Sequence, residues 1–212
     1  MTEKRALLLV GSPREIDRST SGRLGSHLLA GLEERGFTVE KVHVHTAVRS
    51  AEGIEDALAA IARADIVLLF APLYVDSFAA PVIALLETIA ARRVGAGRVR
   101  LFSLVQCGFP EGAQNETALA ILERFAAEAD WEWLGGLAFG GGANRTPLPR
   151  QALDLVARAI AAGEPVPDEA FALIDRNPIP AWLYRIVGNW MWQREARRFG
   201  ASRRLRARPY AN

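Results

Sequence analysis

Short, almost wholly apolar runs recur along the sequence, and each is followed by a segment of helical periodicity. Asp65 to Pro72 (DIVLLFAP) puts five large apolar residues in a row, the mark of a strand buried on both faces. Arg5 to Gly11 (RALLLVG), Phe37 to Val44, Val99 to Val105 and Trp133 to Phe139 predict further strands. Between them, Ser19 to Arg35 sets Leu24, Leu28, Leu29 and Leu32 on one stripe, and Glu52 to Arg63, Ala80 to Arg93, Asn115 to Glu128 and Gln151 to Ala162 are also helical in period. Strand and helix in regular alternation predict repeated βαβ units, hence a parallel sheet covered by helices on both faces. No repeat of solenoid period interrupts the pattern.

The alternation occupies residues 1–162 and predicts one α/β domain; residues 163–212 read as a helical C-terminal extension. There Asp168 to Asp175 predicts a short helix, Pro178-Ile-Pro180 a rigid corner, and Ala181 to Phe199 a long helix rich in Trp and Arg. Charge divides in the same region. From Met1 to Asp175, 17 Lys and Arg stand against 23 Asp and Glu, a net −6; from Arg176 to Asn212, nine Arg stand against Glu195 alone, a net +8. The overall +2 therefore joins an acidic body to a basic tail.

Several classes are excluded early. Half the residues are hydrophobic and 24% are charged, so the chain is neither disordered nor collagen-like. The single cysteine, Cys107, cannot build a disulfide framework or hold an iron-sulfur cluster, and it fits a reducing compartment, the cytoplasm. No stretch approaches the roughly 20 apolar residues of a membrane span. His43 and His45 share a face of the predicted second strand, but without a third ligand nearby no metal site is expected. His27, midway along a helix, reads as structural, and Asn115-Glu-Thr117 and Asn144-Arg-Thr146 carry no meaning as sequons in a cytoplasmic protein.

In an open parallel sheet, ligands bind beyond the carboxyl ends of the strands, so the loops there are the places to search. The loop after the first strand offers Ser12, Arg14, Ser19, Thr20 and Ser21 with the free amides of a helix start, a set suited to a phosphate monoester, although composition alone favours an ordinary Ser/Thr-capped helix. It lacks the glycine spacing of a dinucleotide fingerprint and the Lys-Ser/Thr of a triphosphate loop. After the third strand, Pro72, Leu73, Tyr74, Val75, Asp76 and Ser77 bring an aromatic ring and backbone amides to the same edge, followed by Phe78. After the fourth come Gln106, Cys107, Gly108 and Phe109, a possible wall for a flat ring or only a turn. Taken together, a phosphate cradle and two ring-shaped walls describe a phosphorylated heteroaromatic ligand, of which flavin mononucleotide (FMN) is one.

On GSPR at 11–14 with STS at 19–21, APLYVDSFAAP at 71–81, QCGFPE at 106–111, PAWLYRIVGNWMW at 180–192 and RPY at 208–210, the sequence resembles the flavodoxin-like NAD(P)H-dependent oxidoreductases, particularly the FMN reductase and iron-sulfur-flavoprotein relatives. That resemblance implies a three-layer fold with a five-stranded parallel sheet of order 2-1-3-4-5. It implies that Ser12, Arg14, Ser19, Thr20 and Ser21 hold the flavin phosphate, that Pro72 to Ser77 border the isoalloxazine, and that Gln106 to Phe109 line its other edge. It further implies an enzyme that passes hydride from NADPH or NADH through FMN to a quinone, azo, nitro or flavin acceptor, with no catalytic side chain required. Three departures stand out: Glu15 and Asp17 place carboxylates near the proposed phosphate, Gln106 stands where relatives often have Asn, and the cysteine cluster of the iron-sulfur relatives is absent. The alternative is a non-enzymatic module, either a one-electron carrier or a flavin-free interaction protein, although electron-carrying flavodoxins end after the fifth helix.

Cys107 reads as small packing rather than a redox thiol. In the tail, Leu183, Ile186, Val187, Trp190 and Met191 make an apolar stripe that Trp182 and Trp192 widen, with Arg185, Arg194, Arg197 and Arg198 on the remainder. Packing on the body or in a homodimer or higher homo-oligomer is expected, peripheral contact with an anionic membrane is the alternative, and Arg203 to Arg208 is too short a cluster to indicate nucleic acid.

Overall fold

A computed structural model describes residues 3–142, 148–175 and 180–207. Its five strands are β1 (Lys4–Val10), β2 (Phe37–His43), β3 (Ile66–Pro72), β4 (Arg100–Gln106) and β5 (Glu132–Phe139). They form one sheet of order β2-β1-β3-β4-β5, and every pairing is parallel. This is the expected order, and its reversal falls between β1 and β3.

Alternation along the strands divides the core in two. Leu7, Leu9, Val67, Leu69, Leu101 and Val105 face one layer of helices, α3 (Ala51–Arg63), α4 (Ala80–Arg92) and α5 (Glu116–Ala129). Leu8, Val10, Leu68, Phe70, Phe102 and Leu104 face the other, α1 (Thr20–Glu33), α6 (Arg150–Ala162) and α7 (Asp168–Asp175). Both faces of the central strands are thus buried, which is why those strands are continuous apolar runs. His27 joins α1 to α6 by a 2.7 Å contact of Nε2 with Asp154 Oδ1, the structural role expected of it.

Two features differ from the expected layout. β2 ends at His43, and Val44–Ala47 form a one-turn helix, α2, so His43 and His45 do not share a strand face. The chain divides into compact units Met1–Asn177 and Pro178–Asn212. Helix α7, grouped with the extension on sequence, belongs to the first unit, where Ala170 and Ile174 are buried in its core.

In the second unit, α8 (Ala181–Arg198) exposes its apolar residues: Trp182, Ile186, Trp190, Met191 and Trp192 are each more than half accessible. The Arg194 guanidinium lies 5.7 Å from the Trp190 ring, in cation–π range. Among the described residues no helix is long and apolar enough to cross a membrane. The Pro178-Ile179 part of the expected corner, the Asn144 sequon and the 208–210 motif lie outside the described residues.

Candidate functional site

The loops after β1, β3, β4 and β5 meet at the carboxyl edge of the sheet around a cleft of about 190 Å³. Ser12, Arg14, Ser19 and Thr20 line it from the first loop, Pro72, Leu73 and Tyr74 from the second, Gln106, Cys107 and Gly108 from the third, and Gly142 from the last. Ten of these eleven are residues the sequence nominated. A larger cavity of about 250 Å³ opens near Arg100, Glu132 and Trp133, at the amino ends of β4 and β5, away from these loops.

The first loop leaves β1 at Gly11, whose N–H donates to Phe70 O at 2.9 Å. A Cβ there would stand 2.8 Å from Ala71 Cβ and Val82 Cγ2, so only glycine lets the loop pass beside β3. The turn Ile16–Arg18 then brings the chain to Ser19, the N-cap of α1. Ser19 is fully employed: its Oγ accepts from Gly22 N–H at 2.9 Å and donates to Ile16 O at 3.0 Å. Gly22 packs on the turn so closely that a Cβ would overlap the Ile16 carbonyl. Ser21 is buried behind the cleft, where its Oγ accepts from Gln106 Nε2 at 3.0 Å. An anion in the cleft therefore meets the Ser12 hydroxyl, half-buried Thr20, the exposed Arg14 and the Thr20 and Ser21 amides at the start of α1, which have no intrahelical acceptor. Glu15 turns outward and pairs with Arg18 at 3.5 Å, and neither Glu15 nor Asp17 lines the cleft.

The second loop is a hairpin. Tyr74 N–H donates to Ser77 O at 2.8 Å and Ser77 N–H to Tyr74 O at 3.3 Å. Its central residues, Val75 and Asp76, have φ of 51° and 60°, a conformation normally given to Asn or Gly. For a β-branched residue this is strain, of order 1–3 kcal/mol. Val75 is 99% exposed at the tip, Asp76 and Ser77 are exposed beside it, and none of the three lines the cleft. Tyr74 stands half exposed at the rim, whereas Phe78 is buried in the core. Leu73 N–H donates to Gln106 O at 2.7 Å and ties the hairpin base to β4.

The third loop is held from beneath by Asn115, which the sequence offered only as a helix start. Its buried Nδ2 donates to Gly112 O at 3.0 Å and reaches Phe139 O and Cys107 Sγ. Gly142 lies against this loop so tightly that a Cβ would stand 2.7 Å from Cys107 O. Burial pushes the Cys107 thiol above its ordinary pKa, and Sγ lies 3.6 Å from the Phe109 carbonyl as a weak donor. It is a packed thiol, not a thiolate poised for attack. Phe109 is 53% exposed and outside the cleft wall.

Two features leave room for a ligand ring. Gly108 would place a Cβ in open space, so nothing in the protein itself requires its small size. Gln106 lines the cleft, and its buried Oε1 has no hydrogen-bond partner. An unpaired buried oxygen costs about 1–3 kcal/mol, a cost that a ring N–H would remove. The residues present therefore fit a phosphorylated flavin: an anion end at α1, an aromatic rim at Tyr74, and an acceptor at Gln106.

His43 and His45 stand behind the first loop. His43 Nε2 contacts Ser12 O at 2.8 Å and Arg14 O at 3.0 Å, while its Nδ1 contacts Thr46 Oγ1 at 2.7 Å. His45 Nε2 contacts Gly11 O at 3.2 Å. The rings stack 6.0 Å apart. Burial holds His45 below the usual imidazole range, only partly offset by its bond to Gly11. No cluster of metal-ligating side chains occurs among the described residues.

No family model matches the chain, and no curated protein matches it. Solved structures do. An apo NADH:FMN oxidoreductase (EmoB) superposes with a TM-score of 0.57 at 18% identity, over 81% of this chain and 87% of its own. The NAD(P)H:quinone oxidoreductase of Methanothermobacter marburgensis gives 0.53 at 16% identity, over 76% and 98%. RosB, solved with bound 8-demethyl-8-formylriboflavin-5'-phosphate, gives 0.56 at 13% identity, over 99% and 90%. At these identities the likeness establishes the fold, the flavodoxin-like α/β sheet described above.

Proposed function

We propose that the chain is an FMN-dependent oxidoreductase that draws hydride from NADPH or NADH and delivers it to a small quinone, azo, nitro or flavin acceptor. The observation that carries this reading is one cleft lined both by Ser12, Arg14 and Thr20 at the start of α1 and by Gln106, whose buried Oε1 has no hydrogen-bond partner. Proteins named for NADH:FMN and NAD(P)H:quinone oxidoreduction share the fold and give the reading a precedent.

Bound FMN would supply the hydride-accepting ring. The chain's own residues bind and orient. Arg14, Ser12, Thr20 and the amides of α1 hold the phosphate; Ser19 and Ser21 act behind them, one capping the helix and the other steadying Gln106. Pro72, Leu73 and Tyr74 border the ring, and Gln106, Cys107 and Gly108 form its other edge. Small Gly108 leaves that side open. No side chain needs to act as acid, base or nucleophile, and the protonated Cys107 stays out of the chemistry.

The exposed Trp and aliphatic surface of α8 supports a homodimer or higher homo-oligomer, with an anionic membrane surface as the other occupant to test. A free, buried thiol is in keeping with the cytoplasm.

The test is anaerobic. Purified protein loaded with FMN should lose its visible flavin absorption on addition of NADPH or NADH and regain it with a quinone. A flavin that stays oxidised with both nucleotides refutes the reductase and leaves a carrier; a protein that neither retains nor binds FMN refutes every flavin reading.

A further inference from the structure

We infer that His43 and His45 are positioning residues for the anion loop and set its preference for a phosphorylated over an unphosphorylated ligand. This rests on the flavin reading of the cleft. The segment from Gly11 to Ser19 has little regular structure of its own, so its peptide orientations must be fixed from outside. A peptide carbonyl turned into an anion site repels the anion, whereas a peptide N–H attracts it.

Two imidazoles take the carbonyls of Gly11, Ser12 and Arg14, three of the first four residues of the loop. Neither ring lines the cleft, so the carbonyls they hold are engaged by groups that stand outside it. A carbonyl can only accept, so Nε2 carries the hydrogen in both rings. In neutral His43 the Nδ1 then accepts from the Thr46 hydroxyl, which fixes the ring's orientation. The placement follows from the fold: His43 pairs in register with Val10, the last residue of β1, and the single turn of α2 swings His45 back beside it. The pair that sequence spacing raised as metal ligands thus serves as a clamp on backbone.

The experiment compares binding of FMN with binding of riboflavin, which lacks the phosphate, to the full chain by quenching of flavin fluorescence. Wild type should prefer FMN. His43→Ala with His45→Ala should cut FMN affinity about tenfold while riboflavin affinity holds, as expected when charged hydrogen bonds are misaligned. His43→Gln, which keeps an amide donor near the Nε2 position, should retain most of the preference, and it stands in if the double variant fails to fold; there, His43→Leu beside His43→Gln gives the same contrast. Equal loss for both flavins, or no loss for either, overturns the inference while leaving the flavin reading intact. Wild type that binds neither flavin overturns both.

Discussion

Units Met1–Asn177 and Pro178–Asn212 use apolar residues in opposite ways. In the first, every long helix turns a stripe toward the sheet: Leu24, Leu28, Leu29 and Leu32 of α1 are all at most 1% exposed. In the second, α8 is as rich in large side chains, yet Leu183, Ile186, Val187, Trp190 and Met191 are all exposed. The reason lies in the sequence of α8. Its apolar stripe fills only the first three turns, and Arg194, Arg197 and Arg198, expected on the remainder of the helix, in fact continue that same azimuth. Hydrophobic content alone does not make a core; period and the neighbours it meets do.

The sharpest way to break this contrast is a pair of truncations. Phe70→Ala, at a fully buried position in β3, should cost about 3–5 kcal/mol in denaturant unfolding. Ile186→Ala should stay within about 0.5 kcal/mol. Comparable losses at both positions would mean that α8 is part of the folding unit. Ending the chain at Asn177 should leave cooperative unfolding in place and lower the association state seen by sedimentation; an unchanged state would remove the tail from assembly.

Within the body, Arg14→Ala and Ser19→Ala separate binding from capping. Loss of Arg14 should weaken FMN binding roughly ten- to a hundredfold, the range for a hydrogen bond to a charged group, with little change in stability. Loss of Ser19 should cost about 1 kcal/mol of stability through the cap and affect FMN less. At the hairpin tip, Val75→Asn should stabilise by up to about 1 kcal/mol by relieving the positive φ. The smallest effect is pH-dependent. Because burial holds His45 below its ordinary pKa, the unfolded chain takes up the proton first as pH falls below about 6.5. Stability should decline there and level off once the folded ring also protonates, and His45→Gln should flatten that slope.

Much of this architecture was legible in the sequence because buried parallel strands must be continuous apolar runs. DIVLLFAP became Ile66–Pro72, whereas the sheet order was implied only by the family resemblance. The cleft was legible as a set of loops, since carboxyl-edge loops converge by topology. Hydrogen-bond allegiance was not. A serine at a helix start reads the same whether it faces an anion, caps its own helix as Ser19 does, or steadies a glutamine as Ser21 does. The VD pair at 75–76 lacks the Asn or Gly that normally signals such a turn, so the hairpin was invisible. One turn of helix at Val44–Ala47 is too short for periodicity to reveal, yet it takes His45 off the strand face it was expected to share with His43.

The most direct test of the cleft's role is equilibrium titration of the purified chain with FMN. Saturable binding at one site per chain, weakened by Arg14→Ala and by enlarging Gly108 to Leu, is the predicted result. Absence of binding, or binding indifferent to both substitutions, would contradict it.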